Sequence, residues 1–152
     1  MKFIEKSGEI INTLIKVNMD RVAGFEHAEK ELKENDVDLK KIFKEYKEES
    51  RNYIKELRTE ANKIDAKNAV IFHKNNAIQR TWRDVKAIFD KNDRQSILKE
   101  CERCEYAVKK AYRDIFASAS SLSVDLMQLL STQEVGIFIA HDNIRILSES
   151  QA

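Results

Sequence analysis

"AEKELKENDVDLKKIF", Ala28 to Phe43, is the stretch on which the fold turns. To its left Ile11, Leu14, Ile15, Val22, Phe25, Ala28 and Leu32 recur at helical spacing, and Asn35-Asp36 interrupts them. This predicts a first helix over about Gly8 to Glu34. To its right Leu39, Ile42, Phe43, Tyr46, Tyr53, Leu57 and Ile64 begin a second stripe. Asp36 is placed to cap that helix, its carboxylate accepting from the free amides of the next turn, and Asp38 adds charge at the positive end of the dipole. A link this short folds the second helix back antiparallel to the first.

Farther along, the pattern loosens from Asp65 to Asn76, and a shorter stripe follows at Ile78, Trp82, Val85, Ile88 and Phe89. These residues read as a long connection with a short helix of its own. Asn92-Asp93-Arg94-Gln95 resembles a capping box, with Asn92 as the cap and Gln95 reaching back. The third stripe follows at Ile97, Leu98, Cys101, Val108, Ala111, Tyr112 and Ile115 and ends near Ala117. Ser118 to Ser123 supplies a hinge and a cap donor, and Leu126, Leu129, Leu130, Ile137, Ala140, Ile144 and Leu147 form the last helix. Two antiparallel hairpins joined by a long connection give an up-down-down-up bundle, because that connection must travel the length of the helices. The expected fold class is therefore all-α, a ferritin-like four-helix bundle formed as one domain over residues 1–152.

Composition agrees with an all-helical chain. The 152 residues contain no proline and only 3 glycines, so turn-rich β architectures are excluded. A chain of this size buries roughly 68–70% of its unfolded surface and needs no staple. With 27 Lys+Arg against 26 Asp+Glu, interspersed, there is no basic face for nucleic acid or anionic lipid. Glu5 and Glu9 break any signal-peptide core, and the longest apolar run, Val135 to Ala140, cannot span a bilayer. The expectation is a soluble, cytoplasmic protein with two reduced thiols and without a membrane or nucleic-acid partner.

Polar residues within the stripes are the candidates for function. Asn18 falls in phase with the apolar residues of the first helix, and Glu26 and Glu29 flank that face. Glu49 lies between Tyr46 and Tyr53, Glu105 between Cys101 and Val108 with Glu102 beside it, and Gln133 between Leu130 and Ile137, with His141 a turn beyond. Facing helices would gather Glu49, Glu105 and Gln133 into one polar layer. A di-iron carboxylate site needs Glu-x-x-His pairs, and none is present: His27, His73 and His141 all lack that spacing. A hydrogen-bonded network with Asn18 and tyrosine hydroxyls is the preferred reading, with no cofactor. The alternative is an iron or manganese binder or oxidase with a degenerate di-metal site built from Glu26, Glu49, Glu102, Glu105 and His141. Cys101-x-x-Cys104 offers too few ligands for structural zinc and no strand-to-helix setting for redox chemistry, so these cysteines read as packing.

"NMDRVAGFEHAEKEL" (18–32), "LKKIFKEYKEESRNYIKEL" (39–57), "QRTWRDVKAIF" (79–89), "NDRQSILKECERCEYAVKKAY" (92–112) and "AHDNIRIL" (140–147) together resemble an uncharacterised bacterial family of ferritin-like four-helix-bundle proteins. The resemblance spans nearly the whole chain and implies that fold, without an established activity. In the family pattern the third-helix motif runs Cys-Glu-Arg-Gly-Glu-Asp, so Cys104 stands where a glycine is usual and Tyr106 where an aspartate is usual. Glu102, Glu105, His141 and Asp142 match the pattern, and Glu26 and Glu49 fall in matching segments. The functional expectation is a non-enzymatic bundle acting through protein contacts or self-association, with stress or maintenance as its setting. The metal-binding reading stands as the alternative.

Overall fold

A computed structural model describes the backbone of residues 2–68, 93–118 and 122–150, and the side chains of 7–64, 93–117 and 122–150. The expected short helix between Ile78 and Phe89 and the place of His73 lie outside the described residues. Within them all regular structure is helical: α1 Lys2–Glu31, α2 Val37–Asn68, α3 Arg94–Ser118 and α4 Val124–Ser150. Each helix forms where an apolar residue recurs every three or four positions, and together they pack as a four-helix bundle.

The helix ends refine the expected caps. The α1–α2 turn closes with the Leu32 amide donating to the Glu29 carbonyl (3.2 Å) and Asp36 N–H to the Lys33 carbonyl (3.0 Å). The Asp36 carbonyl opens α2 by accepting from Lys40 N–H, but its carboxylate points elsewhere, accepting from Lys33 N–H (3.0 Å) and from Arg94 (3.1 Å). Arg94 also bonds Asp38, so the first residue of α3 ties its helix to the α1–α2 turn. Asp36 is buried and Asp38 exposed, and hydrogen bonding from the Arg94 guanidinium holds Asp38 below the ordinary carboxylate value. The cap of α3 is Asp93 rather than Asn92. Its carboxylate accepts from Ser96 N–H (2.8 Å) and Ser96 Oγ (3.0 Å). Ser123 caps α4 by accepting from Leu126 N–H (3.2 Å), as its position in the serine run suggested.

Hydrogen-bonded pairs give the directions. Asn18 and Arg21 on α1 meet Ser50 and Tyr46 on α2, so α1 and α2 are antiparallel. The same two residues meet Tyr112 and Glu105 on α3, again in reversed order. On α4, Gln133 meets Tyr53 and Asn143 meets Tyr46, running against α2. Helix α1 packs between α2 and α3, and α4 packs mainly on α3.

The apolar interior is divided into two clusters. One gathers Ile11, Leu14, Leu57, Tyr112, Leu130 and Ile137. The other gathers Phe25, Leu39, Phe43, Ile97, Leu98 and Ile144. Between them, at the middle of the bundle, lie Asn18, Arg21, Ser50 and Glu105, with Gln133 beside them among residues of the first cluster, all buried. On α1 the boundary is visible in order: Leu14 and Ile15 belong to the first cluster, Asn18 and Arg21 to the polar layer, Phe25 and Ala28 to the second.

Candidate functional site

The polar layer is built around a residue that the sequence stripes passed over. Arg21 follows Asn18 by three positions and precedes Phe25 by four, so it falls on the inner face of α1, and it is only 2% exposed. Its Nε and Nη2 donate to Glu105 Oε1 and Oε2 at 2.8 and 2.9 Å, a bidentate pair that matches the planar fork to the carboxylate. Nη1 donates to Glu49 Oε1 (2.8 Å), to Ser50 Oγ (3.0 Å) and to the Tyr46 carbonyl (3.4 Å). The guanidinium carbon lies 5.5 Å from the ring centre of Phe25 and 5.4 Å from that of Tyr46, so aromatic faces cover the parts of the cation that carboxylates do not. Burial alone would favour the neutral form. Glu105 first and Glu49 second outweigh it and hold the Arg21 pKa above its usual value.

A second chain of bonds leads away from the ion pair. Ser50 Oγ, having accepted from Arg21, donates to Asn18 Oδ1 (2.9 Å). Asn18 Nδ2 donates to the Leu14 carbonyl and to Tyr112 Oη, each at 2.9 Å. Tyr112 Oη donates to Gln133 Oε1 (2.7 Å), and Gln133 Nε2 donates to the Tyr53 carbonyl (3.4 Å) and Glu56 Oε1 (3.2 Å). Every step runs donor to acceptor in one direction, from the Arg21 cation to the Glu56 carboxylate, and such chains polarise their members cooperatively. The layer thus joins all four helices. Burial raises the Tyr112 pKa, and burial followed by the Glu49 charge raises that of Tyr53, so both stay hydroxyl donors.

The candidate residues divide into three places. Glu49 and Glu105 come together on Arg21, and Gln133 and Asn18 join the same layer, as inward spacing predicted. Glu26 stands outside it, exposed and paired with Arg51 at 3.0 Å, while Glu29 pairs with Lys47 at 2.8 Å. Glu102 and His141 face one another's neighbourhood at the α3–α4 seam. There the His141 ring, buried, tilts against Tyr106 with centroids 6.1 Å apart. Burial first and Lys109 second lower the His141 pKa, against raising contributions from Glu102, Glu105 and Asp142.

The donor set does not fit a di-metal centre. Both oxygens of Glu105 and one of Glu49 are already engaged by one guanidinium, which holds the mid-bundle position a cation would take. Glu26 faces away, and among the described residues no three of His, Cys, Asp and Glu are grouped so as to hold a metal ion.

The cysteines lie in the second apolar cluster. Cys101 is buried and Cys104 half-buried, both as free thiols. Burial pushes the Cys101 thiol well above its ordinary value and that of Cys104 up to about 12. Thiols held protonated in this way are poor nucleophiles. One small cavity, bounded by Arg21, Gly24, Phe25, Cys101, Cys104 and Glu105, lies beside them.

Residues 6–118 match the model of a family described as a domain of unknown function, DUF2383. The chain belongs to this family. No curated protein matches it. The DUF2383 match takes in most of α1 and all of α2 and α3, and with them Asn18, Arg21, Glu49, Ser50, Glu105 and Tyr112. Gln133 and His141, on α4, lie beyond it, as does the stretch from Ala140 to Leu147 that entered the sequence resemblance. No helix among the described residues is long and apolar enough to cross a membrane.

Nothing in the sequence marked Arg21 directly. An arginine at the edge of a stripe is ordinarily read as reaching outward to water, since its long stem allows that. The available signal was indirect: two glutamates directed inward from facing helices, Glu49 and Glu105, require a cation between them.

Proposed function

We propose that this DUF2383 protein is a ferritin-like, up-down-down-up bundle that acts in the cytoplasm through protein contacts and not by catalysis, its polar centre serving to fix helix register. The observation that carries this reading is the bidentate Arg21–Glu105 pair, 1% exposed at either side chain, completed by Glu49. A charged centre already satisfied from within engages Glu105 through both oxygens and Glu49 through one, and buried polar networks of this kind specify one arrangement of helices over its neighbours. The ferritin-like wiring is supported by the directions of the pairs, with α2 and α3 both running against α1 and α4 running against α2. An iron or manganese site would require Glu49 and Glu105 to release Arg21.

Elemental analysis of protein purified without chelator, beside Glu49→Ala and Glu105→Ala, tests this. The expected result is no stoichiometric iron or manganese in any of the three, with Glu105→Ala less stable by about 3–5 kcal/mol because it strips buried Arg21 of its bidentate partner, and Glu49→Ala less stable by about 1–3 kcal/mol. Stoichiometric metal in the parent, lost in both variants, would reverse the reading.

A further inference from the structure

Helix α4 is apolar on two opposite faces. Leu130, Ile137 and Ile144 point into the bundle, all fully buried. At 100° per residue, Val135, Ile139 and Ile146 fall on the reverse side, and they are 55%, 56% and 56% exposed. No other described helix can reach that side, because α2 and α3 already flank the inner one. The outer row continues as Gln128, Thr132, Val135, Ile139, Asp142, Ile146 and Glu149, alternating steps of four and three, which is the spacing of a coiled-coil seam. Apolar side chains in such a row argue for a second helix lying along it.

The charges around the row indicate which helix. Along its α3 edge Lys109 Nζ and Arg113 lie over the Phe138 ring, 4.6 and 5.1 Å from its centre. Asp142, exposed, is one turn beyond Phe138 on the same edge. A two-fold axis through Ile139, perpendicular to α4, sets residues equally far before and after Ile139 opposite each other. It brings Asp142 of one copy against Lys109 and Arg113 of the other, and repeats the contact symmetrically. Self-complementarity of this kind is what an isologous interface requires. A formal net charge of +1 leaves little repulsion between copies.

We propose that the chain forms a homodimer through antiparallel packing of α4 on α4, centred on Ile139 and flanked by Asp142 paired with Arg113 and Lys109 of the second copy. This rests on the reading of the protein as one that acts through contacts, and names the surface and the partner. Sedimentation velocity of the full chain across the micromolar range is the test. The expected result is a reversible monomer–dimer equilibrium, weakened about tenfold or more by Ile139→Asp. Asp142→Arg should weaken it as well, and adding Arg113→Asp should restore it. Ile139 is exposed, so at concentrations low enough for the parent to be monomeric its variant should keep the parent's melting curve, which separates lost association from lost folding. A monomer at every concentration overturns the proposal, as does a dimer indifferent to Ile139→Asp. So does a monomer in which Ile139→Asp alters the fluorescence of Trp82, the single tryptophan, for that would mean residues 69–92 cover the row within one chain. None of these outcomes bears on metal content, so the metal analysis and this test fail separately.

Discussion

Arg21→Met would remove the cation from the bundle centre while keeping most of its bulk, and the loss should be large. Glu105, 1% exposed, would lose both of its bonds and remain a buried carboxylate without a partner. Glu49 and Ser50 would each lose a donor as well. Breaking a buried pair from one side typically costs about 3–5 kcal/mol, dominated by the stranded charge. At about 2–4 °C per kcal/mol for a chain of this length, the midpoint should fall by roughly 6–20 °C. Urea unfolding followed by far-ultraviolet circular dichroism measures it directly, since the signal comes from the helices throughout. The decisive comparison is with Arg21→Met/Glu105→Leu, which removes both ends. If the cost is that of a stranded charge, the double variant should regain most of the loss, because an apolar pair of similar volume no longer demands solvation. A loss below about 1 kcal/mol, the range of an exposed ion pair, would refute the argument, as would a double variant no more stable than the single one.

Three further outcomes follow from the same geometry. Tyr112→Phe deletes the hydroxyl that accepts from Asn18 and donates to Gln133, leaving buried polar atoms unmatched, and should cost about 1–3 kcal/mol by chemical denaturation. A methyl group at Gly136 would collide with Tyr53 Oη and come within 3.3 Å of Glu49 Oε2, so Gly136→Ala should destabilise by about 1–3 kcal/mol, and Tyr53→Phe should relieve part of it. The folded-state pKa of His141 lies below its unfolded value, so its contribution is fully present above the ordinary histidine value of about 6.5 and is lost as pH falls through the folded pKa. His141→Gln should flatten that part of the stability profile, and an unchanged slope there would contradict the burial argument.

The helices were legible because their signal is local. A stripe such as Leu39, Ile42, Phe43 and Tyr46 recurs every three or four residues whatever it packs against, and the inward direction of Asn18, Glu49, Glu105 and Gln133 follows from the same phase. All four are in the polar layer. Glu26 shows the limit of that reasoning: it flanks the stripe on paper, yet its carboxylate turns outward to Arg51. The α3 cap moved by one residue, from Asn92 to Asp93, because either side chain suits the role and only the backbone path selects between them. Asp36 likewise begins α2 as expected, but Arg94, 58 positions later, draws its carboxylate away from the first amides.

Sequence by itself determined where the helices run, which faces are apolar and which carboxylates enter the interior. Tertiary structure alone decided what meets them. Arg21 has the length either to reach water or to fold inward, and its own neighbours on α1 favour neither. It folds inward because α2 and α3 bring Glu49 and Glu105 to the same height in the bundle, where a buried anion beside a half-buried one is tolerable only around a cation.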